Sequence, residues 1–274
     1  MITVLARSPA ASAQWSDLAH ELDRWAQEGR IATLWWRDDD AAAPSQRLDE
    51  LLALADKVSV ALAVIPGLAG QALAARLGRP GGSSACVLQH GWRHVDHASG
   101  SRKSEFPLSR SPEEIADDLA KGRARLTALF GASTLAVLAP PWNRFADVFL
   151  PLLAASGIRA ISRINPRPTV WPAPGVFAAN VHVDLVAWRG DRGFVGETAA
   201  LGGLAGHLRA RRCGGADRDE PTGILTHHLV QDEGTDAFLV RLLQLTLDHP
   251  AARWLDPGEV FAPAFAGADT TGPA

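Results

Sequence analysis

The sequence predicts an α/β fold, a distorted (β/α) barrel of about seven parallel strands, in a single domain over residues 1–265 followed by a disordered tail at 266–274. Three observations carry that expectation. Short apolar, β-rich runs alternate with stretches whose apolar residues recur at three- and four-residue spacings, the pattern of strand–helix units feeding a mainly parallel sheet. The polar residues with most chemistry in them sit just after the strand-like runs, at the carboxyl ends where barrel enzymes place their sites. No G-x-G-x-x-G follows the first strand, which weakens the dinucleotide-binding form of the alternative architecture, an open doubly wound sheet.

Residues 12–28 read as a helix because Trp15, Leu18, Leu22 and Trp25 share a face. A strand at 31–36 stops in Asp38-Asp39-Asp40, and Pro44-Ser45 opens a helix through Leu54. A strand at 58–65 ends at Pro66-Gly67, a helix covers 68–77, and a strand at 85–88 runs into His90. Ser111-Pro112-Glu113-Glu114 is a capping box with proline in the first turn, predicting a helix to Phe130 and a stop at Gly131. Further strands are predicted at 135–139, 158–162, 177–183 and 223–226, with helices at 145–156, 197–212 and 236–247. The proline-rich stretch 165–175 reads as an irregular loop.

A hydrophobic fraction of 47% and a charged fraction of 21% provide for a sizeable core. The formal net charge of −3 gives no basic field, which disfavours a nucleic-acid partner. No uncharged apolar run of about 18 residues is present, so no membrane span is expected. The opening residues lack a signal-peptide core, and the expected location is cytoplasmic. Cys86, in an apolar run, and Cys213, in a glycine-rich loop, read as free thiols.

His90 and His94 are the strongest metal signal, since two histidines four apart on a helical turn can reach one ion. Imidazoles with a carboxylate oxygen suit zinc, and also cobalt or nickel. His97 lies close by as a bystander. Three consecutive aspartates raise one another's pKa, and a cation relieves that repulsion; one of the three suffices to cap the helix that follows. Glu105, in the loop after the histidines, reads as a solvated carboxylate. Trp35, Trp36, Trp92 and Trp142 lie near these motifs and are candidates to stack on a sugar ring, with core packing the plainer role of Trp35.

The order of Asp38-Asp39-Asp40, His90 to His94, Pro141-Trp142 and Leu225-Thr226-His227 resembles that of the polysaccharide deacetylase family, in its NodB-homology, carbohydrate-esterase form, as a divergent member. The resemblance runs from about Trp35 to His228. It implies a metal-dependent hydrolase that removes acetyl groups from an N-acylated sugar. His90 and His94 would be ligands. Either Asp38 is the base with Asp39 the ligand, or, as Arg37 to Asp40 matches the R-x-D-D of divergent relatives, Asp39 is the base and Asp40 the ligand. The second register is preferred. His227 would be the acid, with His228 competing. Pro141, Trp142, Asn143 and Trp92 would contact substrate.

The arginine expected before the two prolines is Ala139, so either Arg37 or Arg144 would orient the catalytic aspartate, with Arg144 counted among the catalytic residues. Asp184 and Trp188 form only a degenerate version of a later family motif, and Trp188 reads as a packed aromatic. Two alternatives stand beside the deacetylase: a metal amidase acting on a small non-sugar amide, and a non-catalytic barrel that binds a glycan or metabolite.

Overall fold

The apolar run predicted at 31–36 is longer in the structure, a computed structural model that describes residues 13–78 and 85–266. Strand β1 spans Ala32–Ala41 and carries all three aspartates. Charges remain inside the strand because each finds a partner, as shown below. On one side of β1 lie β2 (Ala61–Val64), β3 (Cys86–Gln89), β4 (Thr134–Leu138), β5 (Ala160–Ile161) and β6 (Phe177–Ala178) in that order. On the other lie β8 (Thr222–Thr226) and then β7 (Val183–Asp184), and every pairing is parallel.

The two ends of the sheet, β6 and β7, are neighbours in the chain. Ala179 N and Val181 N donate to Ile161 O and Arg163 O, whereas His182 N and Leu185 N donate to Gly223 O and Leu225 O. One extended segment, 177–185, therefore changes partner midway and joins both edges, curling the sheet into a distorted barrel. The single strand predicted at 177–183 is this segment, split into two short pieces by the switch.

Period-2 alternation sorts the tryptophans of β1. Trp35 faces the barrel interior with Ala61, Ala63, Leu88 and Leu225, while Trp36 faces outward to Leu62, Val64 and Ile224 beneath the helices. Gly223 must be glycine, since a Cβ there would lie 2.4 Å from the Trp35 indole nitrogen. Both indoles are fully buried, which removes them from sugar stacking.

The helices form the outer layer. They are α1 (Trp15–Gln27), α2 (Gln46–Leu54), α3 (Gln71–Leu77), α4 (Pro112–Phe130), α5 (Leu150–Ala155), α6 (Glu197–Cys213) and α7 (Glu233–Asp248). The predicted capping box forms on α4: Glu114 N donates to Ser111 Oγ at 3.2 Å and Ser111 N to Glu114 Oε2 at 3.1 Å. Helix α5 is shorter than the predicted 145–156, because Phe145 and Phe149 pack with Phe106 in an aromatic cluster ahead of it.

Two elements after α7 have no counterpart in the sequence reading. Strand β9 (Ala252–Trp254) pairs the opening of β1, and α8 (Pro257–Phe261) sets Phe261 edge-on against Trp35 at 5.5 Å, sealing the amino end of the barrel. Among the described residues the sheet thus has nine strands, where about seven are expected. Cys86 is half-buried, Cys213 is exposed, and both are free. Among the described residues no helix is long and apolar enough to cross a membrane. Ser12 and the predicted tail beyond Ala266 lie outside the described residues.

Candidate active site and metal centre

Strand geometry divides the three aspartates. Arg37 and Asp39 leave β1 on the barrel side and Asp38 on the outer side. Asp38 accepts from Thr226 Oγ1 at 2.7 Å and from His228 N at 2.9 Å, and its Oδ1 lies 2.5 Å from His228 Nδ1. Burial opposes the charged form of His228, but the charge and hydrogen bond of Asp38 outweigh it and hold its pKa above the ordinary value. Asp38 and His228 are thereby committed to each other on the far side of the strand.

Asp40 would follow Asp38 outward but for a break in register between Asp38 and Ala41 and a left-handed backbone at φ 72°. These turn its carboxylate back to the mouth, where Oδ1 stands 3.1 Å from His90 Nε2 and 3.3 Å from His94 Nε2. Burial alone would raise the pKa of Asp40. The contact with His90 and the charges of His90, His227 and His94 reverse this and hold the carboxyl well below the usual range.

The trio fits a divalent cation. Asp40 Oδ1 is buried and has no hydrogen-bond partner, a costly state unless an ion completes it. His90 Nδ1 lies 2.8 Å from the Ala139 carbonyl, which only accepts, so the proton sits on Nδ1 and the Nε2 lone pair faces Asp40. Tetrahedral ligands about 2.1 Å from zinc stand about 3.4 Å apart, close to the two spacings observed.

The histidine pair is not on a helical turn as predicted. Residues 90–94 form a non-helical loop in which Gly91 and His94 take left-handed backbones at φ 62° and 58°. Glu105 holds that loop. It is buried, not solvated, and accepts from Arg93 N at 2.8 Å and Trp92 N at 3.1 Å. Burial pushes its carboxyl pKa up against the pull of these amides. A Cβ on Gly91 would lie 1.8 Å from Glu105 Oε2 and 2.8 Å from the Pro141 ring, so the motif requires glycine there.

Asp39 is 2% exposed and gripped by Arg37, which donates Nε to Oδ1 at 2.8 Å and Nη2 to Oδ2 at 3.0 Å. The guanidinium is fixed in turn by Ser162 O and Oγ at 2.9 and 2.8 Å and by Asn143 Oδ1 at 2.6 Å. Of the two arginines considered, Arg37 is the one at Asp39; Arg144 is exposed and donates to the Lys103 carbonyl at 2.8 Å. Nothing in the sequence singles out Ser162.

Asp39, Asp40, His90, His94, Trp142, Asn143 and His227 line one cleft of about 760 Å³, with Asp184, Trp188 and Arg192. His227 Nδ1 is buried without a partner, 3.9 Å from Asp184 Oδ1. The Trp188 indole donates to Asp184 Oδ2 at 2.7 Å and meets His227 edge-on at 4.7 Å. Burial raises the Asp184 pKa, against the His227 charge and the indole hydrogen bond. The half-exposed Trp188 thus lines the cleft rather than packing in the core, and the weak D-x-x-x-W spacing is the signal that points to it. Trp142 packs on His94 at 4.3 Å. Trp92 and the exposed His97 do not line the cleft.

A second group, His182, His207 and Glu220, also brings potential ligand atoms within 4.8 Å of one another. It does not fit a metal. Gly223 N donates to His182 Nδ1 at 2.9 Å, which places the proton of the neutral ring on Nε2, 3.4 Å from Glu220 Oε2. The nitrogen facing the group therefore has no free lone pair.

No family model and no curated protein matches the sequence. Among solved structures the chain is similar to a CE4 esterase of Streptococcus mutans, at a TM-score of 0.56 and 14% identity over 87% of this chain and 91% of that one. It is also similar to the Bc1960 peptidoglycan N-acetylglucosamine deacetylase, at 0.51 and 13% over 87% and 95%. A family 4 acetyl xylan esterase from Clostridium thermocellum, in complex with a cobalt ion, matches at 0.50 and 18% over 84% and 91%. The distorted barrel described here is the fold of the CE4 polysaccharide deacetylases and esterases, shared nearly end to end at low identity.

Proposed function

We propose that the protein is a metal-dependent hydrolase of the polysaccharide deacetylase type, removing an acyl group, acetyl foremost, from an N-acylated sugar. The observation that carries this reading is the unpartnered Asp40 Oδ1 set between two imidazole nitrogens, on the floor of a cleft that also holds Asp39 and His227. A divalent ion held by Asp40, His90 and His94, zinc by its N, N, O donors with cobalt or nickel next, would supply Lewis acidity to water and to the acyl oxygen.

The remaining chemistry belongs to side chains and backbone. Asp39, aimed by Arg37, takes a proton from the attacking water. The amide of Trp142, following the two prolines, faces the negative charge that develops on the acyl oxygen. His227, held beside Asp184 and Trp188, gives a proton to the departing amine, so the products are a carboxylate and a free amine. Trp142 and Trp188 flank the cleft as ring-stacking surfaces. The peptidoglycan N-acetylglucosamine named for one similar structure supports an N-acylated sugar, and the acetyl xylan named for another supports removal of acetyl from a carbohydrate.

The test is acetate release from N-acetylated sugars and small acylated amides by zinc-reconstituted protein, beside Asp39→Asn. Turnover of the sugars, lost in Asp39→Asn with metal content kept, is the expected result. Turnover confined to non-sugar amides would move the protein to the second substrate class. None in either class would overturn the hydrolase.

A further inference from the structure

The carboxylates lining the cleft are each committed within the protein. Asp39 belongs to Arg37, Asp40 to the metal proposed beside the two histidines, Asp184 to the Trp188 indole and the Val186 amide, and Asp96 to the amides of Ala98 and Ser104. The three cationic side chains at its rim are not. Among the described residues Arg192 makes no hydrogen bond or ion pair, and the Lys103 ammonium stands 6.0 Å above the Trp142 ring. Arg144 spends one N–H on a carbonyl and pairs with no acid.

Arg192 is presented by a built element. Val186 pairs antiparallel with Phe194, Ala187 N donates to Gly193 O, and Val195 N to Leu185 O, both at 2.9 Å. Asp232 Oδ2 ties the hairpin down by accepting from Phe194 N at 2.8 Å. The tip carries Trp188, already against His227, and Arg192, whose φ of 63° is one that L side chains rarely adopt. A strained backbone at a bulky residue is held by its surroundings and points to a role for that side chain. An uncharged acetylated sugar would offer none of the three cations an ionic partner.

We infer that the substrate carries an anion, a carboxylate or a phosphate monoester, near the acyl group that is removed, and that Arg192, Lys103 and Arg144 receive it at the rim. The inference rests on the hydrolase reading for its substrate. Charge-assisted hydrogen bonds to such an anion are roughly twice as strong as neutral ones, and at this rim the cationic side chains are the ones without an acidic partner.

Two measurements on zinc-reconstituted protein test it. The first compares acetate release from N-acetylglucosamine, its phosphate monoester and N-acetylmuramic acid, which bears a carboxylate. The second measures calorimetric binding of glucosamine and glucosamine phosphate, which requires no turnover. An anionic substrate is expected to have a kcat/KM at least about tenfold above that of the neutral sugar, through KM and less so at high salt. The phosphate and carboxylate arms identify which anion fits. In Arg192→Gly, a residue suited to the positive φ, the anionic-to-neutral ratio falls towards one in both measurements. Equal affinity for glucosamine and its phosphate, unaffected by Arg192→Gly, would overturn the inference with the hydrolase intact. If no sugar is hydrolysed the hydrolase fails, and the binding comparison still decides the anion site.

Discussion

Arg37 and Asp39 lie two residues apart on β1, so their side chains leave the same face, and the guanidinium meets the carboxylate in two parallel hydrogen bonds of 2.8 and 3.0 Å. Both are buried, so the pair is more demanding than a surface ion pair. Arg37→Met is expected to strand the Asp39 charge and cost about 3–5 kcal/mol of stability by urea unfolding. Asp39→Asn is expected to stay folded and metal-loaded while turnover falls about 10²–10⁴-fold. An Arg37→Met protein of unchanged stability would show that Asp39 does not depend on it.

His227 and His228 are adjacent yet face different tasks, and substitution separates them. His227→Ala is expected to lower turnover about 10²–10⁴-fold with little change in Tm. His228→Ala removes the partner of a fully buried Asp38 and is expected to lose about 3 kcal/mol or more. Thermal unfolding and acetate release on both variants check this, and exchanged phenotypes would refute the assignment.

Glu105 accepts from two successive amides of the loop 90–94, so damage to that anchor is expected to reach the metal. Glu105→Ala leaves the Trp92 and Arg93 amides without their acceptor. Metal affinity should fall about 10–100-fold, the usual effect of removing a group that orients ligands. Gly91→Ala, which forces a Cβ onto the same carboxylate, should do likewise. Competitive titration with a chelator measures both, and wild-type affinity in either variant would count against this support.

The stacked pair His182 and His207, 3.4 Å between ring centroids, makes the fold sensitive to acid. Burial, with the charges of His182 and Arg211, pushes the His207 pKa down to about 2, and burial also lowers that of His182 against the pull of Glu220. Below the ordinary histidine value of 6.5 the unfolded chain takes up protons that the folded protein refuses. Stability is therefore full above that value and falls as pH drops, approaching about 1.4 kcal/mol per pH unit for His207, with His182 acting in the same direction. Tm measured from neutral pH to pH of about 5 should fall less steeply in His207→Gln than in wild type. Identical slopes would exclude the pair as the cause.

Sequence pattern locates the strand–helix alternation, the capping box on α4 and the gathering of Asp40, His90, His94 and His227, because periodicity and the parallel-sheet rule act locally. It leaves the aspartate register open, since alternation settles which side each faces only once the break before Ala41 is seen. Glu105 is misread as solvated because the Trp92 and Arg93 amides that donate to it, and the glycine at 91 that makes room for it, lie more than ten residues away in sequence. The sequence puts Arg144 ahead of Arg37 as the partner of the catalytic aspartate; only the fold brings Ser162 and Asn143 to Arg37. Strand β9 and α8 are missed because three- and five-residue elements are too short to show a period.

The pairing of β1 with β8 has a consequence for how the chain is made. Thr226 and Asp38, bonded across that seam, are 188 residues apart. At typical synthesis rates the edge of β1 that faces β8 waits roughly ten to forty seconds for its partner. An apolar strand so exposed invites pairing with the same strand of another nascent chain. Arg37, Asp38 and Asp39 sit along that waiting edge, and their charges repel or mismatch such a neighbour. The charges that serve the site and its support in the finished protein would thus also protect the unfinished one from aggregation.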